Sequence, residues 1–397
     1  MGSARAIASR GSKILYRRTP HLVCHWENGQ FILHNYATGI RVPALPLAVE
    51  ILDLCEDWRT ASSLLGELRA LDSTALEAVL SSLARHTFIE RSDRPIPTSS
   101  TLFSQWNGWR PVAALFHAST KDMRYSDARD VDAGLRRKAD DEPLPEPLKR
   151  IRRAGKAVRL KPPALQPPTV DIEDDTLQHA LRERRTWRNF GSAAVSAEHL
   201  GTLLGLTFGV QQWMHVEGFG RMALKTSPSG GARHSIEAYA FVRRVQGLTP
   251  GWYHYDPDRH LLRPLSATGA RRRKISAYLP TQTWYDDAAV MVAMTAVFAR
   301  AQWRYDYPRA YRSILAEAGH LAQTFCLVAT SLNLAPFCTM ALADSMIERD
   351  LQIDGVSESV VYATGAGSRP AGVDWAPWPE TTRTPRLEQP AWKRRKR

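Results

Sequence analysis

Residues 127–170 constrain the fold of this chain more than any other stretch. They are dense in charge and proline, with Glu142-Pro143-Leu144-Pro145-Glu146-Pro147 and, further on, Pro162-Pro163. Each proline fixes φ and removes a backbone N–H, so neither a regular helix nor a central strand runs through such a cluster. The composition predicts an extended connector. Compact structure must then form on either side of it, as a small unit over 13–95 and a larger one from about 175 onward. The 397 residues suit two or three domains, and a hydrophobic fraction of 44% is enough to bury a sizeable core.

The first unit reads as α+β. Leu22-Val23-Cys24-His25-Trp26 and Gln30-Phe31-Ile32-Leu33-His34 are strand-like runs on either side of Glu27-Asn28-Gly29, and Asn-Gly is a strong hairpin turn. Three helical patterns follow, through Leu47, Ile51 and Leu54, then Leu64, Leu65 and Leu68, then Leu76, Leu80 and Leu83. Thr87-Phe88-Ile89-Glu90 reads as a returning strand. A hairpin followed by three short helices resembles a winged helix. Residues 96–174 are read as linker and connector, 175–386 as a second α+β domain, and 387–397 as a basic tail. In the second domain, helices are expected at 175–185, 196–210, 268–280, 308–332 and 342–352, and strands at 236–244, 288–296 and 358–364.

The formal charge is +13, from 53 Lys+Arg against 40 Asp+Glu. Such an excess attracts anions, but no interleaved basic and aromatic stripe points to nucleic acid. Cys24, Cys55, Cys326 and Cys338 lack CxxC spacing, so no metal site is expected and the thiols read as core residues. Neither a signal-peptide run nor an apolar span of about 20 residues is present. A cytoplasmic protein without membrane partners is expected.

Four constellations can carry chemistry. Arg184-Arg185-Thr186-Trp187-Arg188 sets three guanidiniums and a hydroxyl within reach of a phosphate, although a solvated basic face gives the same pattern. Ser227-Pro228-Ser229-Gly230-Gly231-Ala232-Arg233-His234 is a glycine-rich turn that lets backbone approach a flat ligand, or is a turn and nothing more. Arg304-Tyr305 and the helical Glu317-Ala318-Gly319-His320 offer proton-transfer groups, with Gly319 admitting close helix packing and a satisfied core histidine as the plain reading of His320. Thr364-Gly365-Ala366-Gly367-Ser368-Arg369-Pro370 lacks the third glycine of a dinucleotide loop, and no βαβ unit follows, so it reads as a turn beside a ligand.

Taken in order, these segments resemble the SagB-type dehydrogenases, the azoline-oxidising branch of the FMN nitroreductase superfamily. The resemblance runs from Leu115-Phe116-His117 through Pro250-Gly251-Trp252-Tyr253-His254 to Glu317-Ala318-Gly319-His320-Leu321-Ala322-Gln323, covering about 110–375. The first unit is similar to the PqqD-like recognition elements of peptide-modifying enzymes. The resemblance implies a central, mainly antiparallel sheet flanked by helices, in a homodimer with FMN at the interface. Arg184, Arg185, Thr186 and Arg188 would hold the phosphate and ribityl chain. Pro228, Ser229, Gly230, Gly231 and Arg233 would line the ring, and Ala335, Pro336 and Phe337 would pass near its N5 edge.

The implied reaction is two-electron oxidation of a thiazoline or oxazoline in a ribosomally made peptide to the azole, with oxygen as the final acceptor. The family carries a lysine–tyrosine pair where this chain has Arg304-Tyr305. Arginine stays protonated, so Arg304 would orient substrate or stabilise negative charge, and Tyr305, a water or His320 would move the proton. A leader segment of the peptide would add as a strand beside Phe31-Ile32-Leu33, and a cyclodehydratase is the implied partner. Two alternatives stay open: an NAD(P)H-dependent flavin reductase or nitroreductase, and a non-catalytic scaffold of a modification complex.

Overall fold

The structure is a computed structural model that describes residues 13–68, 71–103, 110–121, 128–151, 155–163, 176–217, 219–266, 270–372 and 375. The chain divides into two compact units, Met1–Arg124 and Tyr125–Arg397.

In the first unit, β1 (Leu15–Arg18), β2 (Leu22–Glu27), β3 (Gln30–Asn35) and β4 (Ile40–Pro43) precede α1 (Pro46–Leu54). Then come β5 (Arg59–Thr60), α2 (Ala61–Glu67), α3 (Ser73–Arg85), β6 (Ile89–Arg91), α4 (Thr98–Phe103) and α5 (Arg110–Ser119). Asn28 and Gly29 turn the expected hairpin with φ of 48° and 77°, the left-handed pair a two-residue turn requires. Thr60 and Asp72 cap α2 and α3 by accepting from the amides of Ser63 and Ala75. The predicted periodic leucines Leu64, Leu76, Leu80 and Leu83 meet Ile51 and Phe88 in one core.

One expectation fails here. Residues 40–43 form a strand that was not foreseen, so β3 lies between β2 and β4 with both edges paired. Phe31-Ile32-Leu33 therefore offers no open edge to an added strand.

The second unit is built on a seven-stranded antiparallel sheet. In chain order it contains α6 (Ala128–Asp141), β7 (Val158–Arg159), α7 (Thr176–Glu183), α8 (Ala197–Phe208), β8 (Val210–Val216), β9 (Gly220–Lys225) and β10 (Ile236–Val242). There follow β11 (Gly251–Asp256), β12 (Leu261–Pro264), β13 (Val290–Val297), α9 (Phe298–Arg304), α10 (Ala310–Ser331), β14 (Leu334–Thr339), α11 (Asp344–Leu351) and β15 (Glu358–Ser368). The sheet order is β14-β15-β13-β10-β11-β12-β7, and β8 and β9 form a separate hairpin.

Both faces of the sheet are covered, which is why β10 and β13 read as continuous apolar runs. Ala238, Ala240, Val292 and Met294 point into a core shared with Leu203, Ile314 and Phe325. Tyr239, Phe241, Met291 and Ala293 point the other way, toward Trp252, Tyr278, Tyr285 and Phe337.

The connector contains more structure than its composition suggested. Its prolines fall at 143–147, 162–163 and 167–168, which leaves 128–141 free to form a helix and 158–159 free to pair with β12. The helix expected at 268–280 is replaced among the described residues by two short 3₁₀ turns, Ala270–Arg272 and Ile275–Ala277. Four consecutive cations at 271–274 repel along a helix, and Asp286 instead holds the Ser276 amide at 2.7 Å and its hydroxyl at 2.9 Å. The turn expected at 364–370 is the end of β15. There the absent side chain of Gly365 makes room for the Phe337 ring, and that of Gly367 for Phe190. Among the described residues, no helix is long and apolar enough to cross a membrane.

Candidate functional site

The glycine-rich turn after β9 is fixed from below by one carboxylate. Ser229 Oγ donates to Glu317 Oε2 at 2.7 Å, and the amides of Ser235 and Ile236 donate to the same carboxylate at 3.4 and 3.3 Å. Ser229 Oγ also accepts from the His234 amide at 2.9 Å, and Ser227 shares a 2.7 Å hydroxyl contact with Thr324. Burial raises the Glu317 carboxyl above its ordinary value, while the Ser229 hydroxyl and the charge of Lys225 pull it back.

On the turn's other side stand Arg304 and Tyr305, at the end of α9. A Cβ at Gly231 would fall 2.3 Å from Arg304 Cδ and Nε and 2.9 Å from the Tyr305 hydroxyl. Gly231 has φ +59°, which glycine adopts without strain. Arg304 Nε is buried with no hydrogen-bond partner among the described residues. Arg233 donates its Nε to the Gly231 carbonyl at 3.1 Å, and burial together with the nearby Arg304 charge lowers its pKa. The structure thus joins Ser229, Gly230, Gly231, Arg233, Arg304 and Tyr305 into one cluster, with Pro228 exposed at its rim.

Beneath this cluster lies a buried charged network that the sequence did not suggest. Arg300 donates to Glu237 at 2.6 Å, to the His234 carbonyl at 3.0 Å and to the Glu146 carbonyl at 2.9 Å. His254 meets the other Glu237 oxygen at 2.8 Å. Against the cost of burial, Arg300 and His254 hold the Glu237 carboxyl well below its usual range. Burial pushes the Lys225 ammonium down to about 8 and, with the Lys225 charge, the His234 ring down to about 3. Only the alternation of acidic and basic residues with apolar ones around β10 could have hinted at this network.

The arginine-rich segment belongs to a second cluster. The Trp187 amide donates to the Pro336 carbonyl at 2.8 Å, fixing residues 184–190 to β14. Phe190 packs edge-on to Phe337, which stacks on Tyr285 at 4.0 Å. Ala335, Pro336 and Phe337 are buried. Arg185 donates to the carbonyls of Arg182 and Arg184 at 2.7 and 2.8 Å, whereas the Arg184 charge acts on Cys326 and Cys338. The Thr186 carbonyl accepts from Trp375 at 2.9 Å. Asn189 Oδ1 is buried with no partner among the described residues.

Helix α10 carries both clusters. Glu317 and Cys326 are nine residues apart, two and a half turns at about 3.6 residues per turn, and so lie roughly 180° apart around the helix. Between them runs an exposed stripe that includes Ala316, His320 and Gln323. His320 is therefore not a buried core histidine, and no contact joins it to Tyr305 among the described residues. A Cβ at Gly319 would meet nothing within 4 Å, so close helix packing is not its reason either.

A seven-stranded antiparallel sheet with helices on its faces, a glycine turn seated on a helix carboxylate and an arginine segment pinned to an edge strand define an α+β protein of the nitroreductase fold. The nitroreductase family profile matches residues 181–368. A protein of Methanocaldococcus jannaschii that carries the nitroreductase name is 32% identical over 184 residues, 46% of this chain and 87% of that protein. The chain belongs to the nitroreductase family. It is also similar to the trifolitoxin-processing protein TfxB of Rhizobium leguminosarum bv. trifolii, 32% identical over 35% of this chain and 38% of TfxB. The microcin B17-processing protein McbC of Escherichia coli is 29% identical over 32% of this chain and 48% of McbC. The chain thus spans less than half the length of either processing protein.

Proposed function

We propose that this protein is an FMN-dependent dehydrogenase that oxidises thiazoline or oxazoline rings in a ribosomally made peptide to azoles. The observation that carries the reading is the seating of Arg304 and Tyr305 against Gly231, beside the Ser229–Glu317 bond. The similarity to two peptide-processing proteins supports the substrate class.

The residues fit the cofactor. A flat ring needs backbone that it can approach closely, which the turn at Gly230 supplies, and a phosphate needs guanidiniums, which Arg184 and Arg188 supply. The unsatisfied Asn189 Oδ1 and Arg304 Nε are buried polar atoms of the kind a polar ligand satisfies. Because the two clusters flank α10 on opposite sides, one site takes its glycine turn from one copy and its arginine segment from a second, which calls for a homodimer.

When bound, FMN supplies the acceptor for two electrons. Tyr305, in its phenolate form, takes the ring proton of the substrate, and the Arg304 guanidinium steadies negative charge beside it. Glu317 keeps the turn in register through Ser229. In this reading the first unit holds the leader peptide, a cyclodehydratase makes the rings, and the protein works in the cytoplasm.

The test is to incubate the yellow, purified protein with an azoline-bearing precursor and follow its mass. Loss of two hydrogens per ring supports the reading; an unchanged mass with flavin retained overturns it. The similarity to the Methanocaldococcus jannaschii protein favours a second reading, a flavin reductase, whose signature is rapid bleaching of the flavin by NADPH.

A further inference from the structure

A cavity of about 430 Å³ opens between the β8–β9 hairpin and residues 144–150, within the usual range of about 300–1,000 Å³ for ligand pockets. Its walls include Arg150, Trp213, Phe219, Arg221, Arg233 and Asp258. Trp213 donates its indole N–H to Asp258 Oδ1 at 2.8 Å, which orients the ring. The Arg221 guanidinium lies over that ring, 4.1 Å from its centroid.

Stacking occupies one face of a guanidinium and leaves its in-plane donors free. Arg221 and Arg150 make no hydrogen bond or ion pair among the described residues. Among the described residues Arg233 uses only its Nε, on the Gly231 carbonyl, and its terminal nitrogens make no hydrogen bond. Of the two acidic residues among the lining residues, Asp258 is turned to the indole and Glu146 is exposed. The lining thus holds more guanidiniums than carboxylates, and two parallel N–H donors of one guanidinium match the two oxygens of a carboxylate. Arg233 belongs both to this wall and to the turn that meets Arg304 and Tyr305, so the cavity adjoins the candidate centre.

We infer that this cavity is a carboxylate-anchoring subsite, in which Arg221, stacked on Trp213, and Arg233 grip an acidic group of the peptide substrate and hold the reacting ring near Tyr305. The inference rests on the proposed peptide reading and deepens it by naming a substrate feature: an aspartate or glutamate side chain, or a free C-terminus, close to the ring.

Isothermal titration of the full chain with short synthetic peptides tests it. One peptide carries a single glutamate and an amidated C-terminus, one a glutamine with a free C-terminus, and one a glutamine with an amide. Tighter binding of the first identifies a side-chain carboxylate and of the second a terminal carboxylate, and either supports the subsite. Binding of all three with equal affinity, or none binding, overturns it. In Arg221→Gln the preference for the acidic peptide should fall about tenfold to hundredfold. Arg221 is exposed, so this variant should fold, and Arg221→Lys, which keeps charge without the fork, should recover only part of the loss. An unchanged preference in Arg221→Gln removes the site from this cavity. A protein that oxidises azolines without preferring acidic peptides rejects the subsite alone. One that binds them through Arg221 but oxidises nothing rejects the dehydrogenase reading alone.

Discussion

Gly231 and Arg304 occupy one space: a single added carbon on the glycine would reach within 2.3 Å of the arginine's Cδ and Nε. The glycine turn and the end of α9 are therefore fitted to each other. Gly231→Ala should displace Arg304 and strain a residue at φ +59°, at a cost of about 1–2 kcal/mol. A lower urea midpoint together with lost turnover is expected. Wild-type values for both would show that the turn and α9 move independently.

The arginine segment makes a separate prediction. Arg188→Ala should weaken FMN retention about tenfold to hundredfold, as expected for removal of a charge-assisted phosphate contact. Fluorescence titration of the stripped protein with FMN measures this directly, and an unaltered dissociation constant would clear Arg188 of phosphate binding.

Tyr305→Phe should leave the protein yellow and slow turnover by about 10²–10⁴. Arg304→Lys is the companion variant. If arginine here orients substrate through its fixed fork, lysine should lower activity while flavin spectra stay the same. If lysine raises activity, the arginine is standing in for a proton-transfer lysine.

His234 links the network to pH. Its folded pKa of about 3 lies below its ordinary value, because burial and the neighbouring Lys225 disfavour the cation. Between the two values the unfolded chain binds the extra proton, so stability is fully present above about pH 6.5 and declines as pH falls toward 3. Melting temperatures between pH 7 and 5, where few carboxylates titrate, should drop for the wild type and drop less for His234→Gln. Parallel curves would remove His234 from the acid response.

Gly365 lies mid-strand, where a Cβ would sit 2.4 Å from the Phe337 ring and 2.5 Å from the Val290 carbonyl. Gly365→Ala should destabilise by about 1–3 kcal/mol through overpacking. Unchanged denaturation midpoints would mean that the sheet yields at this point.

The apolar runs over 236–244 and 288–296 were enough to show strands, and the long periodic segment at 308–332 was enough to show α10. These signals are local, since a few consecutive side chains decide them. The glycine turn and the arginine cluster were likewise legible as residue types capable of binding a flat, phosphorylated ligand. Contacts between distant segments were not. Edge pairing by residues 40–43 closed the expected docking strand, and the glycine turn before β10 met the end of α9 after β13 because those two strands pair. The division of the candidate site across α10 follows from helical rotation. The stacking of Arg221 on Trp213 needed a hairpin of short, weakly patterned strands. The sequence by itself determined the central strands, the long helix α10 and the residue types available for chemistry. Tertiary structure decided which of those groups touch, because packing between segments far apart in the chain depends on geometry that no local pattern encodes.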